Sequence, residues 1–197
     1  MPLSLVQPEH YQALLTKKIK TVVALLEPFS PPEPEVFPSE PTGYRLRAEF
    51  KMWHEGEDIN YVMFRKEDPR TPVILTEFPI ADKRIQQSMP VLRNVLKANI
   101  ALRRKLFQVE FLVSLSGDLL VTLIYHRQLD QSWENAAQVL VTELQFLARS
   151  VSVVGRSRKQ KVVIGKDFVQ EVFSIHGEEY HYRQYEQSFS QPNGLVN

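Results

Sequence analysis

Residues 106–126 constrain the fold more than any other stretch, because they read LFQVEFLVSLSGDLLVTLIYH, two apolar runs around Ser-Gly-Asp. Glycine at the first central position favours a two-residue type II′ turn, and β-branched and aromatic residues fill both runs. We therefore predict a β-hairpin that turns at Gly117 and Asp118. In this register Val109 lies opposite His126.

The same register places Phe107 and His126 on one face as diagonal neighbours, roughly 7–8 Å apart. The two rings could grip a flat ligand such as a nucleobase, or both could belong to a core. A three-residue turn at 116–118 would move His126 off that face, because a one-residue slip exchanges the faces of one strand. The other members of the predicted face are Val109, Phe111, Val113, Leu115, Leu120, Thr122 and Ile124.

Composition excludes several classes of protein. The 197 residues are 43% hydrophobic and 24% charged, which is ordinary for one globular domain or a domain with an appendage. With a net charge of +1, any nucleic-acid partner must be recognised by local clusters of cations. The chain has no cysteine and therefore no disulfide, thiolate zinc site or cysteine nucleophile. It shows neither a signal-peptide pattern nor an uninterrupted apolar stretch of about 18 residues, so we expect the cytoplasm.

The first 43 residues are predicted to form a helix and a proline-rich arm. Apolar residues recur at helical spacing from Tyr11 to Leu26, and Pro28 ends the pattern. The six prolines between positions 28 and 41 preclude a helix or the interior of a sheet. We expect this arm to run extended along the surface and to tether the first helix.

Residues 44–185 are predicted to form a body rich in antiparallel sheet. Helical spacing predicts one helix from Ile85 to Leu96, kinked or restarted at Pro90, and another from Trp133 to Leu147. With the first helix, this gives an α+β fold with about three helices. Besides the central hairpin, the predicted strands are 44–53, 59–65, 73–78, 151–154, 161–164, 168–173 and 179–185.

Cations cluster in three places that suit phosphates. An aromatic residue beside cation-rich sequence is typical of nucleic-acid-binding sites, although a solvated turn is the alternative for the last cluster. The clusters are Arg45, Arg47 and Lys51 on one side of the first strand; Arg103, Arg104 and Lys105 just before Phe107; and Arg156, Arg158, Lys159 and Lys161 at a predicted hairpin tip. The five histidines have no metal-ligand spacing, and no glycine-rich phosphate loop or nucleophile motif is present, so we predict no metal site and no catalytic residue.

Four segments in collinear order closely resemble the bacterial tRNA (uracil-5-)-methyltransferases, and the likeness covers essentially the whole chain. The resemblance implies an RNA-recognition portion that binds the tRNA T-arm, with no membrane or DNA partner. Phe107 would stack in the T-loop, His126 would contact the same region, and Gln191 would touch S-adenosyl-L-methionine or the target base. Lys51 stands where the family pattern has arginine. The segments are YRLRAEFKMWHEGEDINYVMF, RRKLFQVEFLVSLSGDLLVTLIYHRQLD, VVGRSRKQKV and YRQYEQSFSQPN.

The resemblance also implies a following Rossmann-like methyltransferase domain that is absent from this chain, with residues 186–197 as its start. That domain carries the cysteine thiolate that attacks C6 of uracil and the carboxylate that removes the C5 proton. We therefore expect the chain alone to be inactive and its last residues to be poorly ordered. The alternatives are a stand-alone RNA-binding or protein-interaction module, or the related branch that methylates ribosomal RNA, which usually carries iron–sulfur cysteines.

Overall fold

The computed structural model describes residues 6–65 and 67–196. Residues 1–5 of the predicted N-terminal segment and Asn197 of the predicted C-terminal segment lie outside these ranges. The elements are α1 (Tyr11–Leu26), β1 (Arg47–Glu55), β2 (Asp58–Phe64), β3 (Pro72–Leu75), α2 (Lys83–Ala98), α3 (Ile100–Arg103), β4 (Leu106–Val113), β5 (Asp118–Tyr125), α4 (Gln131–Leu144), β6 (Ser150–Ser157), β7 (Gln160–Ile164), β8 (Phe168–Ile175) and β9 (Glu178–Tyr185). Short 3-10 helices cover Pro8–His10, Glu27–Phe29 and Gln145–Leu147.

The strands form a seven-stranded sheet in the order β3-β2-β1-β4-β5-β6-β7 and a separate β8–β9 hairpin. All neighbours in the larger sheet are antiparallel except β5 and β6, which are parallel and are connected through α4 because a short turn cannot join parallel strands. The predicted α+β class, rich in antiparallel sheet and with three long helices, is confirmed.

The core lies between one face of the larger sheet, which we call the inner face, and the helices α2, α3 and α4. Helix α4 begins where the Asp130 side chain accepts a hydrogen bond from the Trp133 backbone N–H at 3.0 Å. Trp133 is fully buried against Gly155 of β6, where a Cβ atom would come within 2.4 Å of the indole ring. This close approach is possible only because position 155 has no side chain.

Helices α2 and α1 are both present at the predicted positions. Helix α2 is continuous through Pro90, because the burial of its apolar face, including Met89 and Leu92, outweighs the local cost of proline. Helix α1 is present, but none of its residues is buried, so its apolar side does not join the core. It is tied to the proline-rich arm by a 2.7 Å hydrogen bond from the Ser39 backbone N–H to the Tyr11 hydroxyl oxygen.

The predicted register of the central hairpin is wrong. Val113 pairs with Leu119 and Val109 with Leu123, and residues 114–117 connect the two strands. Asp118 begins β5 instead of forming the turn, because its buried carboxylate is held there by distant groups. Val109 therefore lies in the core and is not opposite His126 as predicted.

The β8–β9 hairpin lies against the opposite, outer face of the larger sheet. Its Val169 packs in a small apolar cluster with Leu112, Leu120 and Val154. The Glu171 carboxylate, which is buried, accepts hydrogen bonds from the backbone N–H groups of Leu115 and Ser116 at 2.9 and 2.8 Å. The hairpin therefore covers the end of the outer face that carries the β4–β5 loop.

Asp118 joins the same loop to the hairpin and to the strand β6. Its carboxylate accepts hydrogen bonds from the Gln170 backbone N–H at 2.9 Å, the Arg149 guanidinium at 2.8 Å and the Ser150 hydroxyl at 2.8 Å. Burial opposes ionisation of this carboxyl, but those hydrogen bonds and the charge of Arg149 outweigh burial and lower its pKa.

We predict that Asp118→Asn lowers the free energy of unfolding by about 1–3 kcal/mol near neutral pH, because a charge-assisted network is lost. A lowered pKa in the folded state gives stability that is present above the unfolded pKa of about 3.9 and is lost as pH falls through the folded value. The difference between the two proteins should therefore shrink below about pH 4. Urea unfolding from pH 7 to pH 3 measures it, and a constant difference over this range would contradict the assignment.

Candidate nucleic-acid interface

Phe107 and His126 are brought together by a β-bulge. Leu106 pairs with Tyr125 and Gln108 with Ile124, which leaves Phe107 as an extra residue without a partner. Because the side chains of Leu106 and Tyr125 enter the core, Phe107 and His126 project from the outer face. Their rings stack with centroids 4.4 Å apart and planes inclined by 23°. The predicted adjacency is confirmed, although a bulge produces it and not the predicted register.

The stack is at the surface. Phe107 is 37% exposed, which argues against the alternative that both rings belong to a core. Lys51 of β1 lies beside it, with its Nζ atom 3.9 Å from the centre of the Phe107 ring and donating a hydrogen bond to Gln108 Oε1. The Lys51 ammonium therefore lies against the aromatic stack, a contact that the position of Lys51 in the first strand does not predict.

An open cavity of about 360 Å³ adjoins the stack. His54 lines it, with its Nε2 atom 2.8 Å from the Leu106 carbonyl oxygen. The sequence gives no signal for His54, because its position next to Leu106 follows only from the register between β1 and β4. The lining residues are Met52, His54, Lys105, Leu106, Phe107 and His126.

The second cation cluster is divided between structure and surface. Arg103 donates hydrogen bonds to the backbone carbonyls of Glu57 and Lys97, so it braces the end of α3. Arg104 is exposed, and Lys105 lines the cavity. The segment is held by Arg127, whose guanidinium donates hydrogen bonds to the carbonyls of Ala101, Arg104 and Gln128. No local sequence pattern predicts this role of Arg127.

Arg45 and Arg47 do not reach the stack. Arg47 donates to the carbonyls of Ser188 and Glu186 at 2.6 and 2.7 Å and lies 3.6 Å from the Glu110 carboxylate. Arg45 Nε donates to the Arg47 carbonyl at 2.8 Å. These two arginines thus hold the start of β1 and the segment after β9 together.

Of the four cations predicted to be exposed at the β6–β7 tip, Arg156 is half-buried, and both Arg156 and the exposed Lys161 are paired with carboxylates. Arg156 forms an ion pair with the buried Glu186, and Lys161 Nζ lies 2.7 Å from Asp167 and 3.2 Å from Glu186. The hydrogen bond to Asp167 raises the pKa of Lys161 despite partial burial. A buried carboxylate needs such counter-charges, and its partners are too distant in sequence for a local pattern to reveal them.

Arg158 and Lys159 form the exposed turn between β6 and β7. Ile124 pairs with Arg156, so this turn is at the same end of the sheet as His126. The Gln128 side chain donates to the Arg158 carbonyl at 3.3 Å, which fixes the turn beside the end of β5. One end of the sheet therefore gathers the half-buried Lys51 and these exposed members of the predicted site: Arg104, Lys105, Phe107, His126, Arg158 and Lys159.

Gln191 lies elsewhere. Its segment is docked, because the Leu46 backbone N–H donates to the Pro192 carbonyl at 2.7 Å and the Asn193 amide donates to Ser39 Oγ at 2.6 Å. The expected disorder of these residues is therefore wrong for the part that the structure describes. Gln191 is exposed and lines a cleft with Leu46 at the start of β1, about 20 Å along the strands from Phe107.

Within residues 6–65 and 67–196, no three His, Asp or Glu side chains are grouped to hold a metal ion. No helix in these ranges is long and apolar enough to cross a membrane.

Stacked rings beside exposed cations at one end of a sheet are typical of a domain that binds nucleic acid. The family model described as tRNA (uracil-5-)-methyltransferase matches residues 10–197. The chain therefore belongs to the tRNA (uracil-5-)-methyltransferase family.

Two relatives illustrate the extent of the match. The tRNA/tmRNA (uracil-C(5))-methyltransferase of Aromatoleum aromaticum is 50% identical over 197 residues, which are 100% of this chain and 52% of the relative. The enzyme of the same name from Azotobacter vinelandii is 51% identical over 189 residues, covering 96% of this chain and 51% of its own length. The chain thus spans about half the length of the curated relatives that it matches.

A solved structure shares the fold. The crystal structure of Pyrococcus abyssi tRNA (uracil-54, C5)-methyltransferase in complex with S-adenosyl-L-homocysteine superposes with a TM-score of 0.62 at 18% identity. The match covers 93% of this chain and 44% of the other. At this identity the likeness concerns the architecture.

We predict that Arg156→Ala lowers the free energy of unfolding by about 1–3 kcal/mol. The loss should stay below the roughly 3–5 kcal/mol of a wholly unpaired buried charge, because Lys161 remains 3.2 Å from Glu186. Arg158→Ala, two residues away in the exposed turn, removes the same charge and should change stability by less than about 0.5 kcal/mol. Denaturant titration of both variants checks the assignment, and equal effects would show that the Glu186 pair is unimportant.

Proposed function

We propose that this chain is the tRNA-recognition part of an S-adenosyl-L-methionine-dependent tRNA (uracil-5-)-methyltransferase that forms 5-methyluridine, or ribothymidine, in the T-loop. The observation that carries the proposal is the exposed stack of Phe107 on His126 with Lys51 against it, in a chain of this family. Sequence-specific recognition of RNA mostly uses unstacked loop bases that are bound by aromatic side chains. A T-loop base can extend the Phe107–His126 stack as a third ring.

The surrounding cations suit the RNA backbone. Lys51 and Lys105 lie beside the stack, and Arg158 and Lys159 lie at the same end of the sheet. Phosphates of the T-arm would contact these groups, of which Lys51 donates only to the neutral Gln108 side chain. Arg47, Arg103, Arg156 and Lys161 act through the fold, because they bind backbone carbonyls or carboxylates. A substrate of this kind is met in the cytoplasm.

The residues of this chain supply little of a site for the methyl donor. Gln191 can offer one amide to S-adenosyl-L-methionine or to the target base from its exposed position beside Leu46. One hydrogen bond contributes about 0.5–1.5 kcal/mol, far short of the roughly 8 kcal/mol that micromolar binding needs. We therefore assign donor binding to the part of the relatives' length that this chain does not span, where the bound donor would supply the methyl group to C5.

The methylation step needs a thiolate to add to C6 of uracil and a base to remove the C5 proton. This sequence has no cysteine, so we propose that the chain alone binds RNA without methylating it. The second candidate is a stand-alone RNA-binding or protein-interaction module. It is favoured by the C-terminal segment, which is hydrogen-bonded to Leu46 and Ser39 of the same chain.

We predict that Phe107→Ala weakens binding of an unmodified T-arm hairpin by about 1–3 kcal/mol, the usual contribution of a base stacked on an aromatic ring. Because the ring is 37% exposed, the loss of folding stability should stay below the roughly 3–5 kcal/mol of a buried phenylalanine. Phe146→Ala is the matched control, since this residue is 76% exposed and follows α4 on the helical side.

Fluorescence anisotropy measures RNA affinity and thermal unfolding measures stability on the same three proteins. The proposal requires that only Phe107→Ala weakens binding. Unchanged affinity for Phe107→Ala, or an equal loss for Phe146→Ala, would reject the role of the stack.

We also predict that the purified chain transfers no methyl group from labelled S-adenosyl-L-methionine to unmodified tRNA, because no thiolate is available. Calorimetry should detect no micromolar binding of the donor. A full-length member of the family, assayed in parallel, is the positive control. Methyl transfer above a no-protein blank, from material free of any full-length enzyme, would overturn this proposal.

A further inference from the structure

The β8–β9 hairpin has a second face that is turned away from the sheet. Val169 and Glu171 are buried against the sheet, so the alternate residues of β8 face solvent. Phe168 pairs with Tyr185, and Gln170 pairs with Arg183, which places all four on the solvent side.

Two cations lie against one ring on this face. Arg183 Cζ is 4.8 Å and Lys166 Nζ is 5.6 Å from the centre of the Phe168 ring. The Tyr185 ring lies 5.5 Å from Phe168, and Tyr185 is 44% exposed. We call Lys166, Phe168, Arg183 and Tyr185 the Phe168 cluster.

No carboxylate of the described residues forms an ion pair with Lys166 or Arg183. Asp167, which stands between Lys166 and Phe168 in the sequence, is bound to Lys161 instead, at 2.7 Å. Attachment of the hairpin is provided by the opposite face, through Val169 and Glu171. Two like charges therefore lie at one half-buried ring, and neither forms an ion pair that attaches the hairpin to the sheet.

This chemistry suits an RNA strand. A guanidinium and an ammonium bind phosphate oxygens by charge-assisted hydrogen bonds, and Arg presents a planar fork to them. An exposed tyrosine ring offers a face on which any base can stack. The combination of cations with an aromatic platform is characteristic of surfaces that follow a single strand.

The cluster lies on the same side of the molecule as the Phe107–His126 stack. Lys161 of β7 lies between them. In the sheet, Lys161 is paired with Arg156 of β6, which is paired with Ile124 of β5 near His126. The Lys161 side chain binds Asp167, the residue before Phe168. From β4 to β7 is three strand spacings, or roughly 14 Å, at about 4.8 Å each. Phosphates of one nucleic-acid strand follow one another at about 3.4 Å along a duplex, so a few nucleotides cover this distance.

We propose that the Phe168 cluster is a second RNA contact, in which Lys166 and Arg183 bind backbone phosphate and Tyr185 stacks an adjacent unpaired base. The proposal rests on the proposed function, since the same RNA would occupy both places. It adds a contact that is separate from the Phe107–His126 stack and that extends the length of RNA the protein holds.

The test replaces both cations by Lys166→Gln and Arg183→Gln, which keep much of each aliphatic stem. The matched control is the double variant Arg70→Gln and Lys83→Gln, which removes two exposed cations at other places on the surface. Binding of a T-arm hairpin RNA is measured by fluorescence anisotropy at several salt concentrations. The slope of log affinity against log salt should flatten by about 0.7–0.9 if the cations share one phosphate and by about twice that if each binds its own. The control slope should not change.

Stacking is tested separately. Tyr185→Leu should lower RNA affinity about 5-fold to 150-fold, equivalent to the usual 1–3 kcal/mol of a base–aromatic stack, without changing the salt slope. Tyr180→Leu is its control, because Tyr180 is exposed on the other face of the same strand and does not line the cleft of Gln191. Should the double cation variant fail to fold, Lys166→Gln alone is measured, and an unchanged slope would then reject the phosphate contact.

The outcomes separate this proposal from the previous one. If Phe107→Ala weakens binding while the cation variant keeps the wild-type slope, the Phe168 cluster is not an RNA contact and the proposed function stands. If the cation variant flattens the slope while Phe107→Ala has no effect, the cluster is confirmed and the role of the stack falls. Wild-type protein that binds no RNA would overturn both.

Discussion

Three buried carboxylates hold the outer layer of this protein in place. Asp118 and Glu171 join the β8–β9 hairpin to the β4–β5 loop, and Glu186 gathers Arg156 and Lys161 beneath the segment that follows β9. A carboxylate is stable away from water only when its oxygens are fully paired, so each of these groups admits few arrangements of its partners. Asp118 and Glu171 hold the hairpin over the end of the outer face that carries the β4–β5 loop, whereas Phe107 and His126 at the other end stay at the surface.

This division separates cations that hold the fold from cations that remain available. Arg47 and Arg103 donate hydrogen bonds to backbone carbonyls, and Arg156 forms an ion pair with Glu186. Lys51 and Lys105 lie beside the stacked rings. A net charge of +1 is therefore compatible with local surfaces that attract phosphate. The residues proposed for recognition lie on this chain, which has no cysteine.

Periodicity was sufficient to predict the α+β class and most strands and helices, because it reports which residues are buried. It could not give the register of the central hairpin, since Asp118 is held at the start of β5 by Arg149, Ser150 and Gln170, which no local pattern connects to it. The same limit explains why the ion pair of Arg156 was not predicted, since its partner Glu186 lies 30 residues away. The sequence placed Phe107 and His126 on one face through a hairpin register that is wrong, and His54 and Arg127 needed the three-dimensional pairing.

The bulge at Phe107 also bears on how such a surface can evolve. A residue that faces no partner across the ladder can be exchanged without changing any other pair of the sheet, and here the register shifts by one residue between the flanking pairs Leu106–Tyr125 and Gln108–Ile124. Mutational drift at this position is thereby uncoupled from the packing of the core. A new preference for a bound base could arise there by single substitutions, each tested by selection for recognition alone.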